Sequence, residues 1–215
     1  MSTASTLLTA WRDATASTFD HLLALAAVLL LPVGVLGFGG GALLVESSSG
    51  GGWLLIRLGL DIFVGPLTLL LGLHIAHERT FFSPTPAIGL LVAEGERYWS
   101  AFKLYLPIAL VIHPLMGLLG IPGLVLAYLG LGLTDPVRWL EGGKLWGMPE
   151  RPGMLLLGAT PLLLAACVGQ FVLALADVWA FDSRTAGMFA LVQVLRVLLA
   201  VWGWAVIMRL RRVGG

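Results

Sequence analysis

Arg57 and Asp61 stand four residues apart in an apolar run, a spacing that puts both on one face of a helix. An ionised side chain in hydrocarbon is costly, and an opposite charge on the same face lowers that cost. The pair reads either as part of a polar site or ion path facing a bundle interior, or as a structural clamp with Arg57 reaching toward nearby headgroups. Arg196 stands midway along another apolar run, with Gln193 three residues before it and no acidic partner in its own helix. Asp61 follows Trp53 by eight residues and Arg196 follows Ala186 by ten, so the two match in depth. An Asp61–Arg196 contact would join Arg57, Asp61 and Arg196 in one buried network.

The histidines offer weaker chemistry. His74 and His77 are three apart beside Glu78, a spacing that can serve one metal ion. The plainer reading is a polar cluster at a membrane interface. His113 precedes Pro114 inside an apolar run and could ligate haem or a pigment magnesium, or could be a hydrogen-bonded core residue. His21 opens the first run. Asp177 lies near the end of its run, at a wet interface. Cys167, the one cysteine, excludes an internal disulfide and reads as a small packed thiol. There is no H-E-x-x-H, G-x-S-x-G or phosphate-binding loop. Gly37-Phe-Gly-Gly-Gly41 lies in an apolar run with no strand before it, so close helix contact suits it better than a phosphate. No metal or cofactor is expected.

The elements that must carry these residues are membrane helices. Of 215 residues, 58% are hydrophobic and 12% charged, and the mean hydropathy is +0.94. A soluble domain carries about 25% charged residues, so this chain cannot cover a water-facing surface. A net charge of +1 gives no field for nucleic acid. The N-terminal segment does not read as a cleavable signal. Five apolar runs stand out: His21 to Val45, Trp53 to Ala76, Ala101 to Leu133, Met154 to Ala180, and Ala186 to Met208. Glu46 to Gly52 reads as a flexible connection. The third run is too long for one crossing of about 30 Å. Gly117, Gly120, Pro122 and Gly123 interrupt it, so it splits at Leu119–Gly123 into Ala101–Leu119 and Ile121–Leu133, the latter either spanning or re-entrant. The prediction is an all-α polytopic protein of about six spans in three hairpins.

Basic residues test that count. Six spans with both termini cytoplasmic put Arg12, Arg79, Arg97, Lys103, Arg138, Lys144, Arg151, Arg209, Arg211 and Arg212 inside and Arg184 outside. The chain then divides into an N-terminal interfacial segment (1–20, with a helix over Leu7 to Phe19), a membrane domain (21–208) and a basic tail (209–215). The cytoplasmic connections are Glu78 to Ser100 and Asp135 to Pro152. Phe81, Phe82, Tyr98, Trp99, Trp139 and Trp146 border them at headgroup depth; Trp53 and Trp179 mark the opposite face. Trp202 and Trp204 lie deeper and pack or face lipid.

The middle of the chain resembles a superfamily of six-span bacterial membrane proteins that includes the membrane domain beside some glycerophosphodiester phosphodiesterases. The residues that carry the resemblance are Ala93-Glu-Gly-Glu-Arg-Tyr-Trp-Ser-Ala-Phe102, the Ile121-Pro-Gly123 turn and the segment Thr134 to Gly153, which departs from the family pattern at Glu141-Gly-Gly-Lys-Leu-Trp-Gly147. The resemblance implies three helical hairpins in a bacterial inner membrane and a non-catalytic role. The first functional expectation is a non-enzymatic subunit that meets lipid, other membrane subunits or further copies of itself. Gly117, Gly120, Gly130, Gly132, Gly158, Ala165, Ala166 and Gly169 are the small residues suited to such contacts. The alternatives are a small transporter or channel around Arg57, Asp61 and Arg196, a lipid-directed enzyme using His74, His77 and Glu78, and a pigment or haem carrier using His113.

Overall fold

The computed structural model describes residues 3–29, 50–76, 95–107, 152–182 and 186–214, with short pieces between 33 and 42 and single positions between 110 and 139. Among these residues the regular elements are α-helices, as the composition requires. They are α1 (Thr3–Asp20), α2 (Leu22–Leu29), α3 (Gly50–Ala76), α4 (Gly95–Pro107), α5 (Pro152–Asp182) and α6 (Ala186–Gly214). Ala186–Arg212 is long and apolar enough to cross a membrane, while Ile62–Ala76 and Pro152–Ala165 are shorter apolar helices. Of the Leu119–Gly123 turn and the Ile121–Leu133 segment only Pro122, Leu126 and Gly130 are described, each as a helical position; the rest lies outside the described residues.

Several boundaries differ from the sequence reading. Gly50 to Gly52 belong to α3 rather than to a flexible connection. The helix ladder of α3 continues through the three glycines. α4 begins at Gly95, before the expected Ala101, because Glu96 favours the positive end of the helix dipole. The basic tail is not separate: α6 runs through Arg211 and Arg212 to Gly214, and Leu210 and Arg211 are buried. Arg211 and Arg212 are favourably placed in its last turn, where the dipole is negative.

α6 is the helix on which the others pack. The N-terminal chain runs antiparallel along it: Leu7 and Leu210 meet around Gly158, Thr15 meets Trp202, and Gly37 lies against Ala190. The junction between α1 and α2 stays helical, with Leu25 N donating to His21 O at 2.8 Å. His21 Nδ1 donates to Ser17 O at 2.7 Å. α5 returns antiparallel to α6, with Gly158 facing Leu210 and Gly203 facing Leu162. α3 runs parallel to α6. Val64 and Leu67 share a core with Val194, Val197, Leu198 and Val201, and Leu73 and Ala76 share the next with Met208. A third core joins Ala10 and Ala14 of α1 to Leu155, Ala159, Val206 and Leu210.

Glycine sets the closest approach. A Cβ at Gly72 would overlap that of Trp204 and come within 3.0 Å of Ala205 N, so the α3 backbone touches α6 there. Gly158 is similarly confined, with Leu7 and Leu210 each at 2.8 Å from a built Cβ, and Gly37 stands 3.1 Å from Ala190 Cα. Gly130 and Gly169, expected at helix contacts, face open space. Gly169 lies on a part of α5 that turns its neighbours Val168, Phe171 and Val172 outward. Gly72→Ala should therefore destabilise the protein by about 1–3 kcal/mol through overpacking. Gly169→Ala should be neutral or stabilising by up to about 1 kcal/mol. Unfolding of both variants in detergent micelles, followed by circular dichroism, checks the contrast.

Candidate functional site

Of the predicted site residues, Gln193, Arg196 and His74 have described side chains. Gln193 is 3% exposed, and its Oε1 accepts from Arg196 Nη1 at 3.1 Å, a contact favoured by their one-turn spacing. Gly37 packs on this part of α6, most closely on Ala190. Leu191, Leu195 and Leu199 form the exposed stripe of the same helix, and Gln193 is turned away from it.

Arg57 and Asp61 both lie in α3; their side chains fall outside the described residues. Their positions continue the stripe of Val64, Thr68, Leu71, Gly72 and Ile75 at alternating steps of four and three residues. Gly72 faces Trp204 and Ala205, and eleven residues back along these parallel helices stand Asp61 and Gln193. Position 61 is thus level with Gln193 on the backbone, and Arg196 is one turn further along.

His74 is half-buried in the last turn of α3. His77, Glu78 and His113 lie outside the described residues, as do the side chains of Cys167 and Asp177. Among the described residues, no three or more His, Cys, Asp or Glu side chains come together as a metal group.

The sequence reading missed a second polar cluster, where α4 crosses α3 and α6. Trp204 Nε1 donates to Tyr105 Oη at 2.9 Å, and Tyr105 Oη lies 3.4 Å from Thr68 Oγ1. Thr68 Oγ1 donates to Gly65 O at 2.6 Å, and Tyr98 Oη donates to Phe63 O at 2.9 Å. Pro66 interrupts α3 beside these contacts: it has no N–H to donate to Ile62 O one turn back, and its ring crowds that turn. Tyr98 Oη reaches the next carbonyl, Phe63 O, while Thr68 Oγ1 makes a local back-bond within α3. Gly65 leaves room for the Tyr105 ring, which a Cβ there would overlap. The available signal was Gly65-Pro66 inside an apolar run, together with aromatic residues whose O–H and N–H need partners once buried.

Two more tryptophans fix α1. Trp11 Nε1 donates to Gly158 O at 2.7 Å and Trp202 Nε1 to Thr15 Oγ1 at 3.1 Å. Their rings meet edge-on with centroids 5.6 Å apart. Trp202 and Trp204 therefore pack and hydrogen-bond.

No protein-family model matches this chain, and neither a characterised protein nor a solved structure shows significant similarity to it.

Replacing Trp204 by Phe and Tyr105 by Phe, singly and together, should give a coupling energy of about 1 kcal/mol in a double-mutant cycle of unfolding. Burial of Tyr98 away from water raises its pKa above the usual tyrosine value. Its neutral form is the one the folded state favours, so its contribution is intact below the unfolded pKa and lost as pH rises through the folded one. Phenolate absorbance at high pH should contain a late-titrating component that Tyr98→Phe removes.

Proposed function

We propose that this chain is a multi-pass subunit of a bacterial inner membrane, with about six helices crossing the bilayer and no catalytic activity of its own. It packs against partner membrane proteins, or further copies of itself, in a transport or assembly complex. The observation that carries the membrane reading is the inverted exposure of α5 and α6. Leu164, Val168, Phe171, Val172, Leu175 and Trp179 of α5 point outward, with Leu191, Leu195 and Leu199 of α6. In water such a continuous apolar surface would drive association. In a bilayer it is the solvated face. The subunit reading draws on an interior that, among the described residues, is occupied by helix–helix packing.

Membrane fractions washed with alkaline carbonate should retain the protein, and its release would overturn the reading. Gentle detergent purification from the native membrane, with mass spectrometry of the same fraction, should give a stoichiometric partner or a defined homo-oligomer. A partner-free monomer would count against the subunit role.

A second reading, a small transporter or channel, draws on the buried Gln193–Arg196 pair and on the register that sets Asp61 level with it. Here Asp61 and Arg196 would be the two charges of a polar layer between α3 and α6. Single reversals, Asp61→Arg or Arg196→Asp, should each abolish stable insertion, and the double reversal should restore it. Failure of the double variant would remove the charge pair and leave the first reading standing.

A further inference from the structure

The lengths of the helices do not match one membrane thickness. α5 has 31 residues and α6 has 29, or about 46 Å and 43 Å at 1.5 Å per residue. The hydrocarbon core is about 30 Å thick, so roughly ten residues of each extend beyond it or are accommodated by tilt. The side chains decide between these. Toward the α5–α6 connection, the exposed residues of both helices are Leu, Val, Phe and Trp. Toward the C-terminal end of α6, the outside of the bundle is made instead by α1 and α4, and it carries exposed Arg12, Glu96, Lys103 and Arg212. Arg12 is the most telling: its side chain is 77% exposed and pairs with the adjacent Asp13 at 3.3 Å. An ion pair this exposed is heavily disfavoured on the lipid face. The interior changes as well, since α3 is buried almost continuously from Val64 to Ala76 and α6 from Ala205 to Met208.

The change falls over a band of about two helical turns. Trp202, bonded to Thr15, and Trp204, bonded to Tyr105, mark its edge toward the C-terminus; Phe63, packed on Phe102, and His21, which separates the polar α1 from the apolar α2, mark its edge toward the α5–α6 connection. Amphipathic aromatic rings favour the headgroup layer. The α4 helix presents Ala101 and Leu104 to the protein and carries Glu96, Trp99 and Lys103 on one exposed face. An aromatic ring set between charges on that face suits a helix lying along a membrane surface.

We infer that the membrane boundary crosses the bundle partway along α3 and α6, at the level of Trp202, Trp204 and α4. Beyond it α1, the start of α5 and the C-terminal parts of α3 and α6 form a helical unit in water, on the side that carries the C-terminus. α4 lies in the headgroup layer. This inference rests on the membrane reading above. It reassigns about ten residues of each long helix from lipid to a water-facing unit.

Leu157 and Leu8 are the sharpest probes, because both are exposed apolar residues that a bilayer would welcome. In a Cys167→Ser background, single nitroxide labels at Leu8→Cys, Leu157→Cys, Trp99→Cys, Leu175→Cys and Leu195→Cys would be compared in vesicles of phosphatidylcholine and phosphatidylglycerol. Collision with oxygen and with a water-soluble nickel chelate reports depth. The expected result is oxygen-rich environments at 175 and 195, nickel-rich ones at 8 and 157, and an intermediate value at 99. Labels at 8 and 157 as oxygen-rich as those at 175 and 195 would overturn the inference and leave the membrane reading intact. Nickel-rich values at 175 and 195 would overturn both.

Discussion

The contact between the backbones of α3 and α6 at Gly72 governs much of what surrounds it. Two helices approach this closely only where one lacks a side chain, and the gain is van der Waals contact along their full facing surfaces. Once Gly72 lies on Trp204, the parallel register of the pair follows. That register lets the Trp204 indole reach Tyr105 and so seats α4. It also brings position 61 to the level of Gln193, with position 57 one turn before it. A side chain at position 72 would separate the helices and loosen all of these relations together.

Apolar runs announced the long helices closely. The runs from Trp53, Met154 and Ala186 correspond to α3, α5 and α6 within a few residues at their starts, because the charges and polar loops that end an apolar run also end a helix. Contact glycines were harder to recognise. The chain has 28 glycines, and composition does not separate Gly72, against a tryptophan, from Gly169, facing open space. That difference belongs to helix rotation, which depends on every neighbour at once. The α1 helix illustrates the same gap. Its sequence reads as a free interfacial segment, yet Ala10, Ala14 and Thr18 make a narrow buried stripe against α5 and α6. Small residues at four-residue steps permit that docking without the large apolar face that usually signals it.

The candidate site was legible in part. Gln193 and Arg196 pair as their one-turn spacing suggests, because that interaction is local to a helix. The Trp204–Tyr105–Thr68 cluster joins three helices, and its members are ordinary residues of apolar runs. What brings them together is close approach: Gly65 leaves room for the Tyr105 ring and Gly72 for Trp204, so the indole N–H and the two hydroxyls meet. Among the described residues, polar contacts thus join three helices at one place and hold the Arg196 guanidinium at another.

The docking of α1 also sets an order of assembly. Thr15 and its partner Trp202 are 187 residues apart in the chain. At the usual 5–20 residues per second of synthesis, roughly 10–40 s separate the appearance of the two. During that interval α1 has no surface of α6 to rest on, and its hydroxyls and Trp11 remain available to other molecules. The synthesis of α6 thus governs when α1 can dock, although every other described helix has been made before it.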